Sequence, residues 1–109
     1  MPRIKRDSTQ IDCKIDTVLA DCTEIPMKGW AGASLAIPDT ISTISTITLY
    51  GTHELGGTYY AMYDSSGLSV TVPVDTNRVF DLPAEIFAFA AIKIVGDQDE
   101  ANASVFMKG

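Results

Sequence analysis

The strongest constraint on the fold is a strict alternation of side chains near the middle of the chain. Apolar side chains occupy every second position, with other residues between them: Leu68, Val70, Val72 and Val74 against Ser69, Thr71 and Pro73. A period of two is that of a β-strand, whose successive side chains point to opposite faces. Proline cannot donate to a strand ladder, so we expect Pro73 on an edge strand or at a strand end.

Short segments that we predict to be strands recur along the chain, separated by turn residues. They are 8–15, 30–37, 41–52, 58–63, 68–74, 77–82, 88–95 and 103–108. Within 41–48 isoleucine returns at every third position, which fits neither a helical stripe nor a one-faced strand. The β-branched content favours a strand, and this period would cover it on both faces.

Turn residues complete the prediction of fold class. Residues 64–67 read Asp-Ser-Ser-Gly, which predicts a hairpin turn with glycine where a positive φ is needed. Pro83 suits the first turn of a helix, so residues 83–87 predict a single helical turn. We therefore predict an all-β protein, a jelly-roll-like antiparallel β-sandwich of about eight short strands.

Charge divides the chain into an arm and a body. Arg3, Lys5 and Arg6 place +3 on the first six residues, which leaves −9 on residues 7–109 because the whole chain carries −6. We predict an extended basic N-terminal arm over residues 1–7 and one β-sandwich domain over residues 8–109. The arm is either a frayed terminus or a contact with an acidic neighbour such as another copy.

Several partner classes are disfavoured. An acidic body repels phosphate backbones, so we expect no nucleic-acid partner. No apolar run approaches the ~20 residues that span a bilayer, so we expect no membrane partner. No apolar segment follows the basic start of the chain, so no secretory signal is expected.

Residues with catalytic or metal-binding chemistry are sparse. His53 is the single histidine and follows a predicted strand end, which suggests a surface residue more than a base. Asp97, Asp99 and Glu100 could offer oxygen ligands to calcium, but a solvated hairpin is the plainer interpretation. Cys13 and Cys22 are too few for a zinc site, and we expect them to be reduced. We therefore predict a protein that is not an enzyme and needs no cofactor.

Contact with other proteins is the remaining use for several side chains. Residues 31–36 are small and would let a neighbouring backbone approach closely, although tight packing inside the domain would explain them equally well. Aromatic and methionine side chains serve both cores and interfaces. The predicted interface residues are Arg3, Ile4, Lys5, Arg6, Met27, Trp30 and Tyr60.

The region from about residue 44 to residue 109 resembles a group of small virion proteins of tailed bacteriophages. The similarity lies in these segments: Thr58–Asp64 with the glycine turn after it, Val70–Val72, Leu82–Phe87, Ile92–Val95 and Lys108–Gly109. Members of this group decorate or cement the phage head, often as trimers with a jelly-roll-like fold.

The resemblance implies a capsid decoration protein. Such a protein binds the outer surface of the major capsid protein shell, stabilises the head as a homotrimer, and is assembled in the host cytoplasm. Two alternatives remain open. One is a tail or baseplate component, and the other is a carbohydrate-binding module that uses Trp30, Tyr59, Tyr60 and Tyr63.

Overall fold

Nine β-strands and two short 3₁₀ helices make up the described part of the chain. The computed structural model describes residues 8–38, 44–74, 79–97 and 100–109. The strands are β1 (Ser8–Ile15), β2 (Ile25–Pro26), β3 (Gly32–Ala36), β4 (Thr46–Thr52), β5 (Tyr60–Ala61), β6 (Thr71–Pro73), β7 (Val79–Asp81), β8 (Ala91–Gly96) and β9 (Ala101–Lys108). The 3₁₀ helices span Leu19–Asp21 and Ala84–Ala88. Among these residues, no helix has the length and apolar character needed to cross a bilayer.

The strands form two antiparallel sheets with jelly-roll connectivity. One sheet has the order β1-β9-β3-β7, and the other has the order β2-β8-β4-β5 with β6 also paired to β4. The chain passes from one sheet to the other at each step from β1 to β4 and again at each step from β6 to β9. This alternation is the wrapping pattern of a jelly roll, and it confirms the predicted fold class.

The core lies between the two sheets because each strand turns its apolar positions inward. In β9 alternate residues are buried, and polar residues and one phenylalanine separate them. The inward side chains of both sheets form one cluster: Cys13, Ile15, Leu35, Ile47, Leu49, Ile92, Ile94, Ala101, Ala103, Val105 and Met107. A continuous core of this kind fixes the spacing and angle of the sheets, and hence the shape of the outer surfaces.

The isoleucine-rich segment becomes the central strand of its sheet. Ile47 pairs with Gly96 of β8 on one side and with Val72 of β6 on the other. Every residue of β4 is buried or half-buried, as the three-residue period predicts. Residues 41–43 of the same segment lie outside the described residues.

The predicted strands 58–63 and 68–74 are shorter than the pattern indicates. The Leu49 carbonyl accepts from the Met62 amide (3.0 Å), the Leu49 amide donates to the Val70 carbonyl (3.1 Å), and the Val70 amide donates to the Met62 carbonyl (2.9 Å). One residue of β4 thus closes both ends of a hairpin that spans residues 62–70. The residues of this hairpin therefore leave the sheet, and of the two predicted strands only the short segments β5 and β6 pair with β4.

Candidate functional site

Around β3, the outer surface of the β1-β9-β3-β7 sheet is built mainly from small side chains. Cross-strand pairs share a face, so Phe106 lies beside Ser34 and Ser104 lies beside Ala36. A Cβ atom added at Gly32 would meet nothing within 4 Å, which shows that this part of the sheet is open. We define the flat face as Gly32, Ser34, Ala36, Val79, Ser104 and Phe106.

Two apolar side chains project from the flat face. Phe106 is 40% exposed at the centre of the sheet, and Val79 is 66% exposed on the edge strand β7. Neither side chain packs into the protein's own core, although each lies on a regular strand. Phe106 lies between Ser34 of β3 and Gln10 of β1, so small residues flank the ring on its β3 side. On that side a partner can approach the sheet closely and use the ring as an anchor.

Hydrogen bonds hold the polar flank of the flat face in place. The Gln10 side-chain amide donates to the Ser104 hydroxyl (3.3 Å), which donates to Asp12 Oδ1 (3.1 Å). These contacts join β1 to β9 and hold the polar side chains along the surface of the sheet. The flank is therefore ordered before any partner binds, which reduces the entropy cost of association.

The chain's own loops cover part of the outer surface of the other sheet. Lys93, between the buried Ile92 and Ile94, donates to the Leu19 carbonyl (3.3 Å). Its ammonium also lies 4.8 Å from the centroid of the Tyr59 ring. At this position the protein's own segments already contact the sheet.

Glu24 ties the loop before β2 to the loop after β4. Its Oε2 accepts from the Gly56 amide (3.0 Å) and from the Tyr59 hydroxyl. These hydrogen bonds, that from Tyr59 foremost, lower the pKa of Glu24, whereas burial and then the carboxylate raise the pKa of Tyr59. Both shifts keep the carboxylate charged and the phenol neutral near neutral pH, which suits a structural link between loops.

The predicted interface residues are dispersed. Arg3, Ile4, Lys5 and Arg6 lie outside the described residues. Met27 is 2% exposed because its side chain fills space in the core between the sheets. The structure therefore places this predicted interface residue inside the protein and not on its surface. Trp30 is half-buried against the core. Tyr60 is 63% exposed on the edge strand β5, which belongs to the other sheet and not to the sheet that bears the flat face.

His53 is exposed and stacks on Phe89, with 5.6 Å between the ring centroids. It shares an open cleft with Glu54, Thr58 and Tyr60. Among the described residues, no hydrogen bond joins the imidazole to a carboxylate.

The acidic loop after β8 uses its carboxylates within the protein. Both oxygens of Asp97 bind Ser45, at 3.1 Å from the amide and 2.6 Å from the hydroxyl. Glu100 forms an ion pair with Lys14 (3.5 Å), and Asp99 lies outside the described residues. Within the described ranges, no group of three or more potential ligands could hold a metal ion.

Replacing Asp97 with asparagine is expected to lower the melting temperature at neutral pH. The hydrogen bonds from Ser45 lower the pKa of Asp97 from 3.8 to about 2. The stabilisation is therefore present above the ordinary pKa of 3.8 and is lost as the pH falls through about 2. Melting curves of both proteins over this pH range should converge towards the acid end. A constant difference at every pH would contradict the role of the charge.

Cys13 and Cys22 are both buried free thiols. The Cys22 thiol donates to the carbonyls of Asp16 (3.4 Å) and Val18 (3.5 Å). Burial raises the pKa of Cys13 to about 12 and raises the pKa of Cys22 as well. Thiols held in the protonated form are poor nucleophiles, so these residues contribute to packing.

The small-residue segment 31–36, one candidate for protein contact in the sequence, contributes Gly32, Ser34 and Ala36 to the flat face, but Phe106 was not among the predicted interface residues. One signal pointed to Phe106. Phe106 stands at an outward position between Ser104 and Lys108, where a polar residue is usual. The sequence could not show that Val79 lies near the same surface, because that depends on β3 pairing with both β9 and β7.

Comparisons with known proteins match the fold and not the sequence. No family model matches the chain, and no curated protein matches it at a significant level. Among solved structures, the chain is similar to the crystal structure of the SPBc2 prophage-derived protein YomS, with a TM-score of 0.64 at 14% identity. The alignment covers 100% of this chain and 99% of that one, so the two proteins have the same fold over their whole length.

Proposed function

We propose that the protein is a structural component of a tailed-phage particle that binds the outer surface of the capsid and stabilises it. It does so by docking on the major capsid protein as a homotrimer, without catalysis. The observation that supports this function best is the flat face, with Phe106 exposed in its centre. The shared fold with a prophage-derived protein adds support for an association with phage.

The flat face has the properties of a docking surface. Small residues on the β3 side of Phe106 let a partner's main chain come close, so that the ring can enter a pocket on that partner. A stable interface buries about 800 Å² on each side, which is more than one four-stranded face with short side chains supplies. The face therefore requires additional contacts, and repetition of the same contact over a shell strengthens retention.

The basic arm provides such an additional contact. Arg3, Lys5 and Arg6 directly precede β1, which forms an edge of the sheet that bears the flat face. An extended arm of seven residues reaches up to about 23 Å. Its positive charge complements the −9 carried by the remainder of another copy, so it would link neighbouring molecules around the trimer.

The composition and structure of intact particles test the proposed function directly. Cryo-electron microscopy of purified virions should show the protein on the outer capsid surface at fixed stoichiometry. Native mass spectrometry of the isolated protein should show trimers. Virions that lack the protein, or that hold it only in the tail, would overturn the assignment to the capsid.

Replacing Phe106 with glutamate is expected to weaken capsid binding at least about tenfold, because a charge replaces the central apolar anchor. Co-sedimentation of the purified variant with capsids stripped of the protein measures this loss. Leu55→Glu is the matched control, since Leu55 is a 63% exposed apolar residue in the loop after β4. If both variants bind like the wild type, the flat face is not the docking surface.

A further inference from the structure

A second surface with binding character lies at the end of the sandwich, where β4 leads into the loop before β5. There an open cleft of about 280 Å³ is lined by Thr52, His53, Glu54, Thr58 and Tyr60. It belongs to the β2-β8-β4-β5 sheet and does not include any residue of the flat face. The cleft combines two aromatic rings, a carboxylate and hydroxyl groups.

The aromatic part of the cleft is ordered by the core. A Cβ atom added at Gly51 would lie 2.5 Å from atoms of the Phe89 ring, so this ring rests directly on the main chain of β4. The imidazole of His53 stacks on Phe89 at an angle of 28°. Tyr60 lies opposite Gly51 in the adjacent strand, and the residue is 63% exposed. Tyr60 thus offers an accessible ring surface beside a fixed imidazole.

The polar part of the cleft is also held in place. The Glu54 carbonyl accepts from the Thr52 hydroxyl and the Gly57 amide, both at 3.0 Å. Glu24 anchors the far side of the loop through Gly56. Among the described residues, the carboxylate of Glu54 and the hydroxyl of Thr58 have no hydrogen-bond partner. The loop is therefore fixed while its polar groups stay available to a ligand.

We propose that this cleft binds a neutral pyranose ring of a carbohydrate. The C–H face of the sugar would stack on Tyr60, while Glu54, His53 and Thr58 exchange hydrogen bonds with its hydroxyl groups. Drug-sized ligands occupy pockets of about 300–1,000 Å³, so the smaller cleft suits a single ring. The acidic body disfavours an anionic ligand. This site goes beyond the proposed capsid role and does not rest on it.

Chemical-shift titration of the whole protein tests the site. ¹⁵N-labelled protein is titrated with D-glucose, D-galactose and N-acetyl-D-glucosamine at millimolar concentrations. At least one sugar should shift the amides of residues 52–60, with a Kd on the order of 1 mM. Tyr60→Ala should weaken this Kd at least about fivefold, since aromatic stacking is lost. Tyr60→Phe keeps the ring and should retain binding.

Tyr63→Ala is the matched control, because Tyr63 is also 63% exposed but lies on the 62–70 hairpin and does not line the cleft. Glu54→Gln provides a second variant if Tyr60→Ala fails to fold, and it should weaken binding as well. The proposal is overturned if no sugar shifts residues 52–60, or if Tyr60→Ala and Tyr63→Ala bind equally well. Phe106→Glu should leave sugar binding unchanged, so this test and that of the capsid role can fail separately.

Discussion

Replacing Gly51 with alanine is expected to destabilise the protein by about 2–3 kcal/mol, an unusually large cost for adding one methyl group. The new Cβ would overlap the Phe89 ring, whose atoms lie as close as 2.5 Å to its position. The ring would have to leave the main chain of β4, which also removes its stacking with His53. Urea denaturation followed by circular dichroism measures the change in the free energy of unfolding.

Gly32→Ala is the matched control for this prediction. Gly32 also lies in a strand, but a Cβ atom there meets nothing within 4 Å, so alanine should be neutral or stabilise by a few tenths of a kcal/mol. Adding Phe89→Leu to Gly51→Ala should recover part of the lost stability, because the smaller side chain leaves room. Equal effects of the two glycine substitutions would contradict the contact between Gly51 and Phe89.

Local chemistry was sufficient to predict much of this architecture. The alternation in residues 8–15 predicts a strand, and β1 spans those residues, Ser8–Ile15. The pattern is informative because one face of the strand meets the core and the other meets water. The Asp64–Gly67 turn forms as predicted, with Gly67 at φ +79° and two amides donating to Asp64 Oδ1. Each of these features is decided by residues close together in the chain.

Features that depend on distant residues could not be predicted in this way. The short extent of β5 and β6 follows from Leu49 bonding to both Met62 and Val70, a pairing that no local pattern reveals. Met27 shows the same limit, since a methionine beside a small-residue segment fits a core as well as an interface. Its burial is decided by the way the two sheets enclose it.

The two candidate surfaces have different physical origins. The flat face exists because β9 alternates buried residues with outward ones, among them Ser104 and Phe106, and pairs with the small residues of β3. It therefore follows from a regular strand pattern. The cleft exists because Glu24 and Phe89 hold a loop from two sides. Substitutions on the face should therefore alter binding alone, whereas changes to Glu24 or Phe89 should alter both the loop and stability.

Truncating Leu49 to alanine is expected to destabilise the protein by about 3–4 kcal/mol. The side chain is fully buried in the middle of the central strand, and its loss removes apolar burial and leaves a cavity between the sheets. Because the main chain of Leu49 closes the 62–70 hairpin, amides of that hairpin should also exchange faster with solvent. Urea denaturation and hydrogen exchange measure the two effects.

Leu68→Ala separates the burial of Leu49 from the chemistry of the substitution. Both changes remove the same atoms, but Leu68 is 65% exposed on the hairpin, although it opens the clearest alternating segment of the sequence. Its truncation should cost less than about 0.5 kcal/mol, as is usual for exposed positions. If Leu68→Ala cost as much stability as Leu49→Ala, residues 68–74 would form a core strand. That result would contradict the assignment of residues 62–70 to an exposed hairpin.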